Sequence, residues 1–126
     1  MIEGDAIQAL ARAWIDLHTT HGNSAKQTES GWAYDRMDHL VRVHPDDALL
    51  VADAIIALNP DALLLANLGA GSVEDILAIH GSMIIDSIEM YARRSVTWKR
   101  VLGGVWRNRM EEAVWKRVQL LASPLE

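Results

Sequence analysis

The chain has no cysteine and no phenylalanine, and only two tyrosines and three prolines among 126 residues. Without cysteine it has no disulfide scaffold, no thiol nucleophile and no thiolate metal site. With so few aromatic strand formers and no sustained alternation of apolar and polar residues, β-strand signals are nearly missing. No apolar run reaches the ~18–20 residues that cross a bilayer, so neither a transmembrane helix nor a membrane partner is expected. The opening MIEGDAIQAL is acidic and lacks the basic start of a secretory signal, so a cytoplasmic protein is expected. No Gly-x-Ser-x-Gly elbow, phosphate-binding Walker loop or thiol dyad occurs. Enzyme activity therefore has no positive support, and no catalytic residue, cofactor or metal is assigned.

What is present is an apolar chain of moderate charge. Half of the residues are hydrophobic and 23% are charged, which excludes disorder. A chain of this length builds one core, so a single domain over 1–126 is expected. The net charge of −5 is segregated. Residues 1–92 hold 14 acids and 4 bases, whereas residues 93–126 hold 3 acids and 8 bases. Such a dipolar distribution steers association with charged partners.

The punctuation is helical. Ile7, Leu10, Trp14 and Leu17 recur at spacings of three and four and predict a helix over 5–19. Residues 20–31, THGNSAKQTESG, have no apolar face and read as a mobile polar loop. Residues 32–43 predict a second helix with Trp32, Met37, Leu40 and Val41 inward. His44-Pro45-Asp46-Asp47 and Asn59-Pro60-Asp61 are two similar starts, with proline at the first helical position and aspartates complementing free N–H groups. They launch helices over about 45–58 and 60–68. Ser72 and Ser82 read as N-caps after Gly71 and Gly81, giving helices over 73–80 and 83–94. Further helices are expected over 96–102 and, after Gly103-Gly104, over 106–121. The expected fold is all-α, an irregular stack of about seven short helices, HEAT-like or a compact bundle.

The candidate chemistry is sparse. Leu63 to Ser72 superficially resembles a strand entering a dinucleotide-binding turn, but position 74 is Glu where that turn needs a third glycine. His18 and His21 lie three apart without the further ligands that a metal needs. Asp35, Asp38 and His39 form a polar group that suits acid–base work only if a pocket shifts their pKa values. His80, before Gly81, reads as a histidine capping a helix C-terminus. In the last third, Arg93, Arg94, Lys99, Arg100, Arg107, Arg109, Lys116 and Arg117 interleave with Trp98, Trp106 and Trp115. That pattern suits phosphate contacts and base stacking. The competing expectation is that these tryptophans anchor the core while the bases pair with acidic helices.

The acidic surface is the stronger binding candidate. Asp35, Asp38, Asp46, Asp47, Asp61, Glu74 and Asp75 come from the second helix and three successive helix starts. In a stacked array they would share an edge that attracts a basic protein, with Trp32, Tyr34 or the 20–31 loop as anchors.

The chain resembles an uncharacterised family of short bacterial all-helical domains. The residues that carry the resemblance are Leu10-Ala11-Arg12-Ala13-Trp14-Ile15, Trp32, Glu74-Asp75-Ile76-Leu77 before His80-Gly81, Gly104-Val105-Trp106-Arg107 and Val114-Trp115-Lys116-Arg117-Val118. The resemblance implies a helical fold and a bacterial origin, and carries no activity. The functional expectation is a protein-binding module, an immunity protein that occludes a cognate toxin of basic character. The alternative is an adaptor or regulatory subunit that binds nucleic acid, or a second copy of itself as a homodimer, through the basic Trp-rich third.

Overall fold

A computed structural model describes residues 2–19 and 24–122 of the chain. Six helices follow one another: α1 (Gly4–Thr19), α2 (Ser24–Val43), α3 (Pro45–Ala57), α4 (Ala62–Arg94), α5 (Val96–Gly103) and α6 (Glu112–Leu121). Among the described residues there is no strand. Helices α1, α2 and α3 pack on one another; α4 joins them to α5 and α6.

Several starts follow local chemistry. Pro45 opens α3 with Asp46 and Asp47 in its first turn, where the lost proline N–H costs nothing and the carboxylates meet the positive helix end. Asp61 caps α4, its Oδ1 accepting from the Leu64 N–H at 2.9 Å. Ser95 caps α5 in the same way, Oγ accepting from the Trp98 N–H at 3.2 Å. Helix α3 stops where Asn59 takes a left-handed φ of 57° and Pro60 follows, a combination that cannot continue a helix.

Three sequence expectations fail, the simplest being the last helix, expected over 106–121, which begins only at Glu112 because residues 105–111 form the non-helical α5–α6 connection with Asn108 at a left-handed φ of 52°. Residues 24–31 are not loop but the first part of α2; residues 20–23 of that expected loop lie outside the described residues. Ala25, Lys26, Gln27 and Glu29 are good helix formers, so the missing apolar stripe was a poor guide to backbone state. The third failure concerns the glycines. Helices expected over 60–68, 73–80 and 83–94 are one 33-residue helix, α4, which brings the count to six. Ser72 and Ser82 are therefore not caps, and His80 is mid-helix. By length and composition α4 contains a stretch able to cross a membrane, which its interruptions by Asn67, Gly71, Ser72 and His80 conceal in the sequence. Its Leu64, Leu68, Val73, Ile76, Leu77, Ile84, Ile85 and Ile88 are buried in the common core.

Instead of ending the helix, the glycines let neighbours approach. Residues Gly69–Val73 form a π turn inside α4. A Cβ on Gly69 would collide with the backbone carbonyl of Val101 in α5, whereas one on Gly71 would meet nothing within 4 Å. Gly81 lies under α6, where a Cβ would sit 3.3 Å from the Val114 side chain.

Trp98 is the largest fully buried side chain. Its indole Nε1–H donates to the Asp53 carboxylate at 2.9 Å, and Tyr91 stacks on it at 5.2 Å between centroids. This buried tryptophan therefore keeps its polar atom satisfied while linking α3, α4 and α5. At the far end of the chain, Arg117 ties α6 to α4 through Asp86 at 2.8 Å and Glu89 at 3.4 Å.

Gly69→Ala is expected to lower stability by about 1–3 kcal/mol, because the Cβ meets rigid backbone in a packed interior. Gly71→Ala, with open space for the methyl, is expected to be neutral or to gain up to ~1 kcal/mol of helix propensity. Chemical denaturation of the two variants beside the parent chain checks both.

Candidate functional site

The π turn faces a small cleft. Trp14 and His18 of α1, Tyr34, Met37, Asp38 and Val41 of α2, and Asn67, Gly71, Ser72 and Asp75 of α4 enclose about 130 Å³. A π turn holds one more residue than an α turn, and such bulges recur at functional sites. Here it separates Gly69, which faces α5, from Gly71 and Ser72, which face the cleft.

The α1 wall is fixed. His18 stacks on Trp14 with centroids 3.9 Å apart, and its Nδ1–H donates to the Trp14 carbonyl at 2.8 Å. On α2, Asp38 is paired one turn on with Arg42, Nε to Oδ2 at 3.1 Å. Tyr34 is exposed at the rim. Across from them, Asp75 is pushed above the ordinary carboxyl range. Burial is the main cause, reinforced by the charges of Glu74 and Asp38 and opposed by Arg42 and Arg109.

Two of the acids named from sequence, Asp38 and Asp75, and one of the aromatic anchors, Tyr34, therefore meet in this cleft. The others go elsewhere. Trp32 is half exposed but lies two positions from Tyr34, about 200° around the helix, so it occupies the opposite flank of α2. Asp35 is exposed outside the cleft. Asp46 and Asp47 line a different groove, against the last turns of α4. Asp61 serves as the α4 cap. Glu74 binds the α5–α6 connection, accepting from the Trp106 N–H at 2.8 Å and the Asn108 amide at 3.1 Å. The seven acids named from sequence thus do not converge on one pocket.

The histidine readings also separate. His39 faces His44, ring edge to ring face at 6.0 Å, while Asp38 turns to Arg42. His80 Nε2 is bonded to the Val41 carbonyl at 2.8 Å, so it satisfies a last-turn carbonyl of α2, left free by Pro45, and not the end of its own helix. His21 lies outside the described residues. Among the described residues no group of three or more His, Asp or Glu is placed to hold a metal ion. In the basic third, Trp98 is buried, Trp115 packs against the core and Trp106 stays exposed. Arg93, Lys116 and Arg117 are paired with Glu89, Glu112 and Asp86. Only one of the three tryptophans there remains open for stacking.

Sequence reasoning missed Trp14, His18, Asn67 and Ser72 as cleft walls. Trp14 and His18 stand at helical spacing of four, which signals a shared face. Ser72 was obscured by its resemblance to a cap.

A family of unknown function, DUF6869, matches residues 20–124. The chain belongs to DUF6869. Comparison with curated proteins and with solved structures finds no match. The DUF6869 span contains the cleft residues of α2 and α4, and α1 with Trp14 and His18 lies before it.

The adjacent acids Glu74 and Asp75 are expected to respond oppositely to neutralisation. Glu74→Ala removes two hydrogen bonds to a carboxylate and costs about 1–2 kcal/mol. Asp75→Asn raises the melting temperature at neutral pH, because the folded state holds this carboxyl above its unfolded pKa. The penalty on charged Asp75 is present in full above its folded pKa and is relieved as pH falls through it. The gap between Asp75→Asn and the parent should therefore close on acidification through the carboxyl range. Thermal melts across pH check both signs.

Proposed function

We propose that this DUF6869 chain is a binding module for a basic protein, and that it takes a lysine or arginine side chain of that partner into the cleft between α1, α2 and the π turn. The observation that carries this reading is Asp75, a carboxylate kept partly buried beside Asp38 where burial and like charge both work against it. A charge that costs the free fold and faces an open cleft is a functional candidate with a physical rationale. A cation from a partner reverses the balance, because it meets Asp38 and Asp75 together in a partly desolvated place.

Size argues in the same direction. About 130 Å³ is well below the ~300–1,000 Å³ of ordinary small-molecule sites, yet it suits the head of one long side chain. Exposed Tyr34 at the rim supplies an aromatic anchor of the kind that dominates interface energetics. The net charge of −5 favours encounter with a basic surface. Inhibition by occlusion is the biological form proposed for this binding. The chain would cover the basic active site of a bacterial toxin, as an immunity protein.

The test is affinity capture from a lysate of the source organism by the immobilised parent chain, an Asp38→Asn/Asp75→Asn double variant, and a Glu112→Gln control. One basic protein, held near stoichiometrically by the parent and the control, released by salt and lost from the double variant, is the expected result. Identical proteins on the parent and the double variant would refute the cleft as the binding site.

A further inference from the structure

A second cavity lies between the first turns of α3 and the last turns of α4 and shares no residue with the cleft. It encloses about 370 Å³, inside the ~300–1,000 Å³ range of small-molecule sites. Leu49, Leu50, Met90 and Tyr91 give it an apolar lining, and Asp46, Asp47 and Arg94 carry its charge. The lining is held in place: Leu49 is buried in the core, and the Tyr91 ring is stacked on Trp98, itself bonded to Asp53. The Tyr91 hydroxyl lies within the fields of both Asp46 and Arg94, and burial holds its pKa above the usual value.

The charges of this cavity are not paired with one another across it. Although carboxylates and a guanidinium line the same space, no ion pair joins them, and none of Asp46, Asp47 and Arg94 has a side-chain hydrogen bond or ion pair among the described residues. A purely cationic ligand would leave Arg94 repelling it, and an anionic one would be opposed by Asp46 and Asp47. An apolar ligand would leave both signs without partners. A molecule with one charge of each sign on an apolar body is complementary to the whole lining, since charge-assisted hydrogen bonds to both signs add to the apolar contact.

We infer that this cavity is a binding site for a small zwitterion with an apolar side chain, of the class of apolar and aromatic α-amino acids. The ammonium group meets Asp46 and Asp47, the carboxylate meets Arg94, and the side chain lies on Leu49, Leu50 and Met90. This site is independent of the basic-partner reading and uses none of the cleft residues.

The test is an NMR titration of the full chain, following the Met90 and Leu50 methyl groups and the Tyr91 ring. The probes are L-phenylalanine, 2-phenylethylamine, which lacks the carboxylate, and 3-phenylpropionate, which lacks the ammonium. Saturable shifts at these groups with L-phenylalanine, and at least roughly tenfold weaker binding of each single-charge analogue, are expected. Arg94→Gln should abolish the preference for L-phenylalanine over 2-phenylethylamine, and Asp46→Asn/Asp47→Asn should abolish its preference over 3-phenylpropionate. These are surface charges, so the variants keep the core. No saturable shift with L-phenylalanine, equal binding of either analogue by the parent chain, or shifts at Tyr34 and Asn67 instead would overturn the assignment.

Discussion

The contact between Gly69 and the Val101 carbonyl governs how α4 meets the rest of the fold. Two backbones can come this close only where one of them has no side chain, so a glycine is required at that point on α4. The π turn begins at the same residue and carries the helix past α5 without ending it. Five residues later the helix is α-helical again, with Gly71, Ser72 and Asp75 at the cleft and Glu74 bonded to the α5–α6 connection. The cleft is thus a consequence of close helix packing on the other side of the same turn.

Chemically similar acids do different work because the fold gives each a different field. Asp61 is paired with a free backbone N–H at a helix start. Asp53 accepts from the indole of the most deeply buried aromatic residue. Glu74 fixes a loop. Asp75, its immediate neighbour, accepts no such hydrogen bond among the described residues, and Arg42 and Arg109 only partly offset the burial and like charge that push its pKa up. That contrast, and not the number of acids on the surface, singles out the cleft. Negative charge by itself accelerates encounter with a basic protein, whereas a carboxylate kept where it is unfavourable is the ground on which the proposed contact rests.

Much of the fold could be read from residue order. Proline followed by aspartate marked the start of α3 correctly, because the missing N–H and the carboxylates act locally; at α4 the expected proline at the first helical position is displaced, for Pro60 stands before the helix and Asp61 is its cap. The inward stripes of Leu10 and Trp14, and of Met37, Leu40 and Val41, were also legible, since helical period and burial coincide there. Glycine was the point of failure. The same residue type ends helices and permits close approach, and only the position of Val101, 32 residues further on, decides between the two at Gly69. The start of α2 was hidden because its polar first turns show no periodicity. Of the residues offered as contacts, the structure brings Tyr34, Asp38 and Asp75 to one cleft and places the acids of the other helix starts outside it. Helical periodicity does not carry through a π turn, so which of Glu74 and Asp75 faces the cleft was beyond any spacing argument.

The most direct measurement of the central claim is amide hydrogen exchange of the chain alone and in complex with its captured basic partner. The account predicts added protection concentrated on residues 34–42 of α2 and 67–75 of α4, the two walls that carry Asp38 and Asp75. Protection confined to the basic stretch after residue 93, with the cleft walls exchanging as in the free chain, would contradict it.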